Sequence, residues 1–119
     1  MKTNFKTPPR EFIPIEGLCL KDMGDIYLEP NEQITFRTES NRGNDIVKTD
    51  WGFYLGNSIN WTLKRQGFKT AIVLSKAGGN PRIFINLVEQ GKIADFFDYL
   101  KKNDSEVISW LDEWFESKK

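Results

Sequence analysis

The sequence predicts an α+β protein, in which a mostly antiparallel sheet of five or six strands is followed by two C-terminal amphipathic helices packed on it. Apolar residues alternate with polar ones through the middle of the chain, which is the period of a half-buried strand. The turn signals between these segments are short, and short connections favour antiparallel pairing. After residue 92 the apolar spacing changes to that of a helix.

The first ten residues predict a mobile tail, and residues 11–119 predict a single α+β domain. The tail contains Pro8 and Pro9 and has no apolar periodicity, so it offers nothing to pack against a core. A chain of 119 residues has the length of one domain and buries enough surface to fold without disulfides or metals. Cys19 lies among apolar neighbours, which predicts a buried thiol.

Residues 24–29 and 33–39 predict the first β-hairpin, because two alternating segments flank a turn at Pro30 and Asn31. Residues 46–55 predict the next strand, which ends where glycine and asparagine tolerate a positive φ. Its core face is expected to carry Val47, Thr49, Trp51, Phe53 and Leu55.

Residues 68–75 are almost continuously apolar, which predicts a central strand covered on both faces. A Gly-Gly-Asn-Pro turn leads to residues 82–89, where apolar residues again predominate. We therefore predict a hairpin between these two strands. Residues 59–66 fit a short strand or one helical turn equally well.

Two helices are predicted at the C-terminus. The first has its apolar stripe at Ile93, Phe96, Phe97 and Leu100, spaced as one face of a helix requires. After a stop at residues 103–105 comes the second stripe, which comprises Val107, Ile108, Leu111, Trp114 and Phe115. Neither helix is long enough to be stable alone, so both must pack on the sheet or on a partner.

The composition excludes several kinds of active site. The chain has no histidine, so Ser-His-Asp and Cys-His catalysis and imidazole metal sites are impossible within it. Paired cysteines, a calcium-loop spacing and a glycine-rich phosphate loop are all missing from the sequence, so we expect no metal and no cofactor. The 17 basic residues balance the 17 acidic ones, which argues against bulk attraction to nucleic acid.

The cysteine content also predicts the compartment. Cys19 is the only cysteine and has no partner for a disulfide, which suits the reducing cytoplasm. The first residues lack the apolar stretch of a signal peptide, and no apolar run approaches the ~20 residues of a membrane span. We therefore expect a cytoplasmic protein without membrane association.

Residues 50–65 are unusually dense in aromatic, amide and cationic side chains. Such groups hold sugars, nucleotides and small anionic metabolites through stacking, hydrogen bonds and charge. The segment thus indicates a non-catalytic module that binds a small polar ligand or a partner protein. The candidate ligand-binding residues are Asp50, Tyr54, Asn57, Asn60 and Arg65. The alternative is a structural turn in which the asparagines serve the backbone.

A histidine-independent enzyme acting on a sugar or similar small metabolite is the competing interpretation. Tyr54 or Asp50 would transfer the proton, which requires burial to shift its pKa towards neutrality. Lys69 would become a nucleophile if desolvation lowered its pKa, but the sequence favours a solvated residue at the start of its strand. A single-stranded nucleic-acid binder is the third hypothesis, since rings and cations interleave at residues 61–69, but the balanced charge argues against it.

Four segments carry a resemblance to known proteins: residues 24–32 (GDIYLEPNE), 51–54 (WGFY), 67–73 (GFKTAIV) and 110–112 (WLD). In this pattern the chain resembles small uncharacterised bacterial proteins of about its length, which implies no activity. The turn at residues 28–31 is similar to a turn of cupin barrels, whose metal sites use histidine pairs and a glutamate. Because this chain has no histidine, that resemblance implies a shape and no metal-dependent activity.

The second predicted helix also indicates an interface. Trp110 lies at the edge of its apolar stripe, whereas Trp114 and Phe115 are expected to close the core of the sheet. Aromatic residues left at such an edge are enriched as interface anchors. We therefore predict that Trp110 is partly exposed and available to a second copy, as in a homodimer, or to another protein.

Overall fold

The computed structural model describes residues 1–117, without the side chains at positions 115 and 117. Strands make up 54% and helices 19% of it. The strands are β1 (Lys2–Ile15), β2 (Leu18–Tyr27), β3 (Gln33–Arg37), β4 (Gly43–Thr49), β5 (Gly52–Leu55), β6 (Phe68–Ser75), β7 (Arg82–Glu89) and β8 (Ser105–Trp110). The α-helices are α1 (Thr62–Arg65), α2 (Ile93–Lys102) and α3 (Trp114–Ser117), and 3₁₀ turns cover Ala77–Gly79 and Leu111–Glu113.

The predicted fold class is wrong. The strands form three small sheets with the orders β1-β2, β3-β4-β5 and β7-β6-β8 instead of one sheet of five or six strands. Among the described residues only α2 has seven or more residues, so two C-terminal helices do not cover a sheet. The chain divides into two compact units. The first comprises residues 1–34 and 46–54, and the second comprises residues 35–45 and the described residues from 55 onward.

The long antiparallel hairpin of β1 and β2 belongs to the first unit. Residues 2–10, for which the sequence predicts a tail, are part of β1, with Lys2 opposite Tyr27 and Arg10 opposite Asp22. Residues 6–9 face a single residue of β2, so the two prolines lie in a bulge, where no ladder hydrogen bond is required of them. Local apolar spacing missed this pairing because the bulge interrupts the alternation.

Cys19 lies in β2 and is exposed, so the predicted buried thiol is wrong. The hairpin is a two-stranded sheet, and among the described residues of the first unit none is buried. Apolar neighbours along the sequence therefore do not enclose this side chain.

The hairpin predicted between residues 24–29 and 33–39 is wrong, although a turn does occur at residues 30–31. β2 pairs with β1, and β3 pairs with β4, so the turn connects strands of different sheets. The strand predicted over residues 46–55 is divided into β4 and β5 by a turn. Gly52 follows that turn with φ +147°, a backbone conformation that favours glycine.

This turn removes two aromatic rings from the core face predicted for them. Trp51 is 74% exposed and Phe53 is 59% exposed. The prediction that these two rings pack in the core is therefore wrong. A chain reversal at Asp50 and Trp51 replaces the continuous strand that would have buried them.

The core lies in the second unit, around the central strand β6. The hairpin predicted between β6 and β7 is confirmed, and its register runs without interruption from Phe68 opposite Glu89 to Ser75 opposite Arg82. The fully buried apolar cluster is Ala71, Val73 and Leu100, against which Phe96, Val107 and Trp110 pack. The predicted stripe of α2 thus covers one face of this sheet.

The second predicted helix is wrong, because residues 105–110 form β8 and pair with the second edge of β6. Val107 and Ile108 are β-branched, which favours a strand, and β6 requires hydrogen-bond partners on both sides once its faces are buried. Trp114 is 50% exposed, so its predicted place in the core is also wrong. The side chain of Phe115 lies outside the described residues.

The ambiguous segment before β6 forms the single helical turn α1. Ser58 and Thr62 stabilise its start reciprocally: the Ser58 N–H donates to Thr62 Oγ1 at 2.8 Å, and the Thr62 N–H donates to Ser58 Oγ at 3.0 Å. Leu63 is fully buried and anchors this turn in the second unit.

Candidate functional site

Asp50 and Tyr54 are exposed side chains of the first unit. Asp50 lies in the turn between β4 and β5, and Tyr54 is 46% exposed near the end of β5. The ring of Trp51 stacks on that of Tyr54, with centroids 6.0 Å apart and an interplanar angle of 23°. Proton transfer by either residue would require burial, which these surroundings do not supply.

Asn57, Asn60 and Arg65 belong to the second unit. Asn57 Oδ1 accepts the Asp45 backbone N–H at 2.8 Å, and Asn57 Nδ2 donates to Asp45 Oδ2 at 3.2 Å. Its amide therefore holds β4 against the turn after β5. This is the alternative that the sequence offered for Asn57, in which the asparagine supports the backbone of a turn. Asn60 and Arg65 are exposed. The grouping of the five residues into one ligand site stays a prediction.

The run of rings and cations that suggested single-stranded nucleic acid does not form one surface. Trp61 is 64% exposed, but Phe68 is only 4% exposed and packs inside the second unit. Lys69 is committed to ion pairs with Asp112 and Glu113. A stacking platform would need Phe68 at the surface.

Lys69 and Asp112 form a largely buried ion pair that ties the C-terminal segment to β6. Asp112 Oδ2 accepts from Lys69 Nζ at 3.0 Å, and Asp112 Oδ1 accepts the Thr70 N–H at 2.9 Å. The side chain of Asp112 is fully buried, whereas that of Lys69 is 24% exposed. Glu113 Oε1 lies 3.5 Å from the same ammonium.

This pair excludes the nucleophile role that the sequence allowed for Lys69. Burial lowers the pKa of Lys69, but the hydrogen bond and charge of Asp112, together with those of Glu113, outweigh it and hold the pKa above its ordinary value. A lysine nucleophile requires the opposite shift. The ammonium therefore stays charged at neutral pH and contributes to structure.

Trp110 is half-buried at the end of β8, between α2 and Lys69. Its ring meets those of Phe96 and Phe97 edge to face, with centroids 5.9 Å and 6.4 Å away. Lys69 Nζ lies 4.9 Å from the centroid of the same ring. These contacts fix the orientation of Trp110, and its predicted role as an interface anchor stays a prediction.

A groove of about 340 Å³ follows β8, the last strand of the sheet β7-β6-β8. Its lining comprises Val107, Ile108, Ser109, Trp110, Glu113 and Trp114. β8 is an edge strand of its sheet, and Ile108 is the extra residue of a bulge, since Ser109 lies opposite Ile72 and Val107 opposite Val73. The bulge interrupts the alternation of side chains, so four consecutive residues of β8 line the groove. Ile108 is 53% exposed and Trp114 is 50% exposed.

Sequence reasoning missed Ile108, Glu113 and Trp114 as members of a surface groove, since the helical stripe assigned the first and last to the core. The adjacent β-branched residues Val107 and Ile108 were the available signal for a strand. The pairing of that strand with β6 joins residues that are 30 to 39 positions apart, from Ser75 opposite Ser105 to Ala71 opposite Trp110, which local periodicity does not encode.

The comparisons with known proteins add no family. No protein-family model, curated protein or solved structure matches the chain. Within residues 1–117 there is no group of three or more metal-ligating side chains placed to hold an ion. None of the helices in that range has the length and apolar character needed to cross a bilayer.

Proposed function

We propose that this chain is a non-catalytic module that binds an extended segment of a partner protein as an added strand along β8. The observation that carries the proposal is the groove beside β8, which joins an exposed strand edge to apolar side chains. An edge strand presents backbone N–H and C=O groups that an incoming strand pairs with, and side-chain pockets beside it select the sequence.

The outer edge of β8 is accessible to such a segment. β8 pairs with β6 on one side, and among the described residues no backbone group of β8 hydrogen-bonds to a further strand. Ile108 and Trp114 provide exposed apolar area, while Trp110 is held rigidly by Phe96 and Phe97. Rigid aromatic anchors with apolar neighbours are the usual source of binding energy at protein interfaces.

The charge of the groove indicates what the partner segment carries. Glu113 is 53% exposed and lies 3.5 Å from Lys69, so its carboxylate still faces solvent and can accept a second cation. We therefore expect a segment in which apolar residues alternate with lysine or arginine.

With one exposed cysteine and no second one in the sequence, the module suits the reducing cytoplasm.

The test is selection of peptides from a random phage-displayed library, followed by titration of the ¹⁵N-labelled protein with the selected peptides. We expect the enriched peptides to alternate apolar and basic residues and to shift the amide resonances of residues 107–110. Trp114→Ala should weaken binding about thirtyfold, the effect of a hot spot worth about 2 kcal/mol. Ile108→Lys should weaken it as well, since it places a like charge beside a basic segment.

Ile13→Lys is the matched control, because Ile13 is a 68% exposed isoleucine in β1. It should bind the selected peptides as the wild type does. Thermal unfolding of each variant checks that the fold is kept. Peptides that bind without shifting the β8 amides, or a library that yields no binder, would contradict the proposal.

A further inference from the structure

We infer that the buried Asp112 is a positioning residue for the groove along β8 and sets its preference for a basic segment. Asp112 holds the Lys69 ammonium, and the Glu113 carboxylate therefore keeps its negative charge where the groove meets solvent. The inference rests on the proposed function, since it concerns the charge specificity of the same groove.

Three charged groups meet at this end of the groove. Lys69 Nζ lies 3.0 Å from Asp112 Oδ2 and 3.5 Å from Glu113 Oε1. One cation thus faces two carboxylates, and the cluster keeps one negative charge. Of the three residues only Glu113 is part of the groove lining.

Burial decides which of the two carboxylates Lys69 compensates. The side chain of Asp112 is fully buried, whereas that of Glu113 is 53% exposed. An uncompensated charge costs far more in the interior than beside water, so the ammonium belongs to Asp112. The remaining negative charge is therefore carried by Glu113.

The position of the Asp112 carboxylate is fixed by the backbone of β6. Asp112 Oδ1 accepts the Thr70 N–H at 2.9 Å, which leaves Oδ2 to accept from Lys69 Nζ. Burial lowers the pKa of Lys69, but the hydrogen bond and charge of Asp112, and to a smaller extent those of Glu113, raise it above its ordinary value. Asp112 is thus the stronger of the two partners of the ammonium.

Asp112→Asn separates this role from a purely structural one. The amide keeps an oxygen for the Thr70 N–H but carries no charge for Lys69. The ammonium then pairs with Glu113 alone, and the groove loses its net negative charge. We therefore expect binding of a basic segment to weaken while binding of a neutral one stays unchanged, because the apolar contacts of the groove are kept. A purely structural role would weaken both equally.

The test is calorimetric titration at low ionic strength, where screening of exposed charges is small. The probes are a peptide selected for binding along β8 and its twin with every lysine and arginine replaced by glutamine. The wild type should prefer the basic peptide about fivefold, the effect of a partly exposed ion pair. Asp112→Asn and Glu113→Gln should each bring this ratio close to one.

Glu106→Gln is the matched control, because it removes one negative charge from β8 itself. Glu106 is 58% exposed and pairs with Lys76 at 3.4 Å, and it is not part of the groove lining. This variant should keep the wild-type ratio. A ratio that falls equally in Glu106→Gln and Asp112→Asn would show that only the net charge of the chain matters.

The double variant Asp112→Asn with Lys69→Met should restore the preference. It removes the cation together with its buried partner, so Glu113 is again uncompensated. Replacing both members of a buried ion pair costs less stability than removing one, which keeps this variant folded even where the single variant is not. Thermal unfolding checks both. A double variant whose ratio stays near one would overturn the inference.

A titration of Lys69 without any peptide gives an independent measurement. Its pKa, followed by the NMR resonance of its side-chain Cε, should fall more in Asp112→Asn than in Glu113→Gln. Equal falls, or basic and neutral peptides weakened by the same factor in Asp112→Asn, would overturn the inference and leave the proposed function standing. A wild type that binds neither peptide would overturn both.

Discussion

Asp112 is the residue on which the attachment of the C-terminal segment depends most. Its buried carboxylate accepts from both Lys69 Nζ and the Thr70 N–H. Asp112→Ala leaves the Thr70 N–H without its acceptor and leaves Lys69 only the exposed Glu113, so it should lower the free energy of unfolding by about 3 kcal/mol. Asp112→Asn keeps an acceptor for Thr70 and should cost less. Urea unfolding measures both, and two variants of wild-type stability would contradict this account.

The same ion pair predicts a stability change at alkaline pH. Because the folded-state pKa of Lys69 is raised above its unfolded value of about 10.4, its contribution is complete below that pH and is lost as pH rises through the folded pKa. Lys69→Arg keeps its charge in this range. Urea unfolding from pH 9 to 12 should therefore show a steeper loss for the wild type than for Lys69→Arg; parallel curves would contradict it.

At the scale of the element, Gly24 determines whether β1 and β2 can pair. Its φ is +114°, and a Cβ there would clash with the Asn4 carbonyl oxygen and lie 2.7 Å from Phe5 Cα. Gly24→Ala should destabilise the hairpin by about 2 kcal/mol or more, through strain and the clash together. Gly17→Ala in the same hairpin is the matched control, since its φ is +85° but nothing lies within 4 Å.

Amide hydrogen exchange of β1 and β2 measures the difference between these glycine variants. The Gly24→Ala chain should lose protection along the hairpin, whereas the Gly17→Ala chain pays only the cost of a left-handed backbone, about 1 kcal/mol. Equal exchange in the two variants would show that the close approach at Gly24 does not control the pairing.

Elements whose apolar spacing and turn residues lie within one short segment could be predicted from the sequence. α2 follows from four apolar residues at helical spacing, and the β6–β7 hairpin follows from two strands joined by a glycine-rich turn. β8 could not be predicted, because Val107, Ile108 and Trp114 also fit a helical stripe. Whether this segment forms a helix or a strand depends on the second edge of β6, which offers hydrogen-bond partners to a strand. That edge forms only when the chain folds, so the sequence of the segment alone does not show it.

The same reasoning applies to the candidate site. The density of aromatic and amide groups over residues 50–65 is a compositional signal, and the structure assigns Asn57 to backbone support and leaves Asp50 and Tyr54 in solvent. The groove along β8 arises from sheet order, which a single sequence does not encode. Trp110 attracts attention in the sequence because a large aromatic residue is visible without knowing its element, and its role at an interface stays a prediction.

At the scale of the whole molecule, burial is distributed unequally. Every buried residue among those described belongs to the second unit, and β6 alone carries Phe68, Thr70, Ala71, Val73 and Ser75. The first unit contains the β1–β2 hairpin, and an isolated two-stranded hairpin is only marginally stable in water. Local stability should therefore differ between the two units, since it follows apolar burial and protected hydrogen bonds.

Native-state hydrogen exchange should reveal this difference. We expect the amides of β6 to exchange most slowly, with opening free energies near that of global unfolding, because this strand is paired on both sides and buried on both faces. The amides of β1 and β2 should exchange with opening free energies several kcal/mol smaller. Asp112→Ala should accelerate exchange in β6 while leaving β1 and β2 unchanged. Uniform protection of β2 and β6 would contradict this, since it would require the two units to open together.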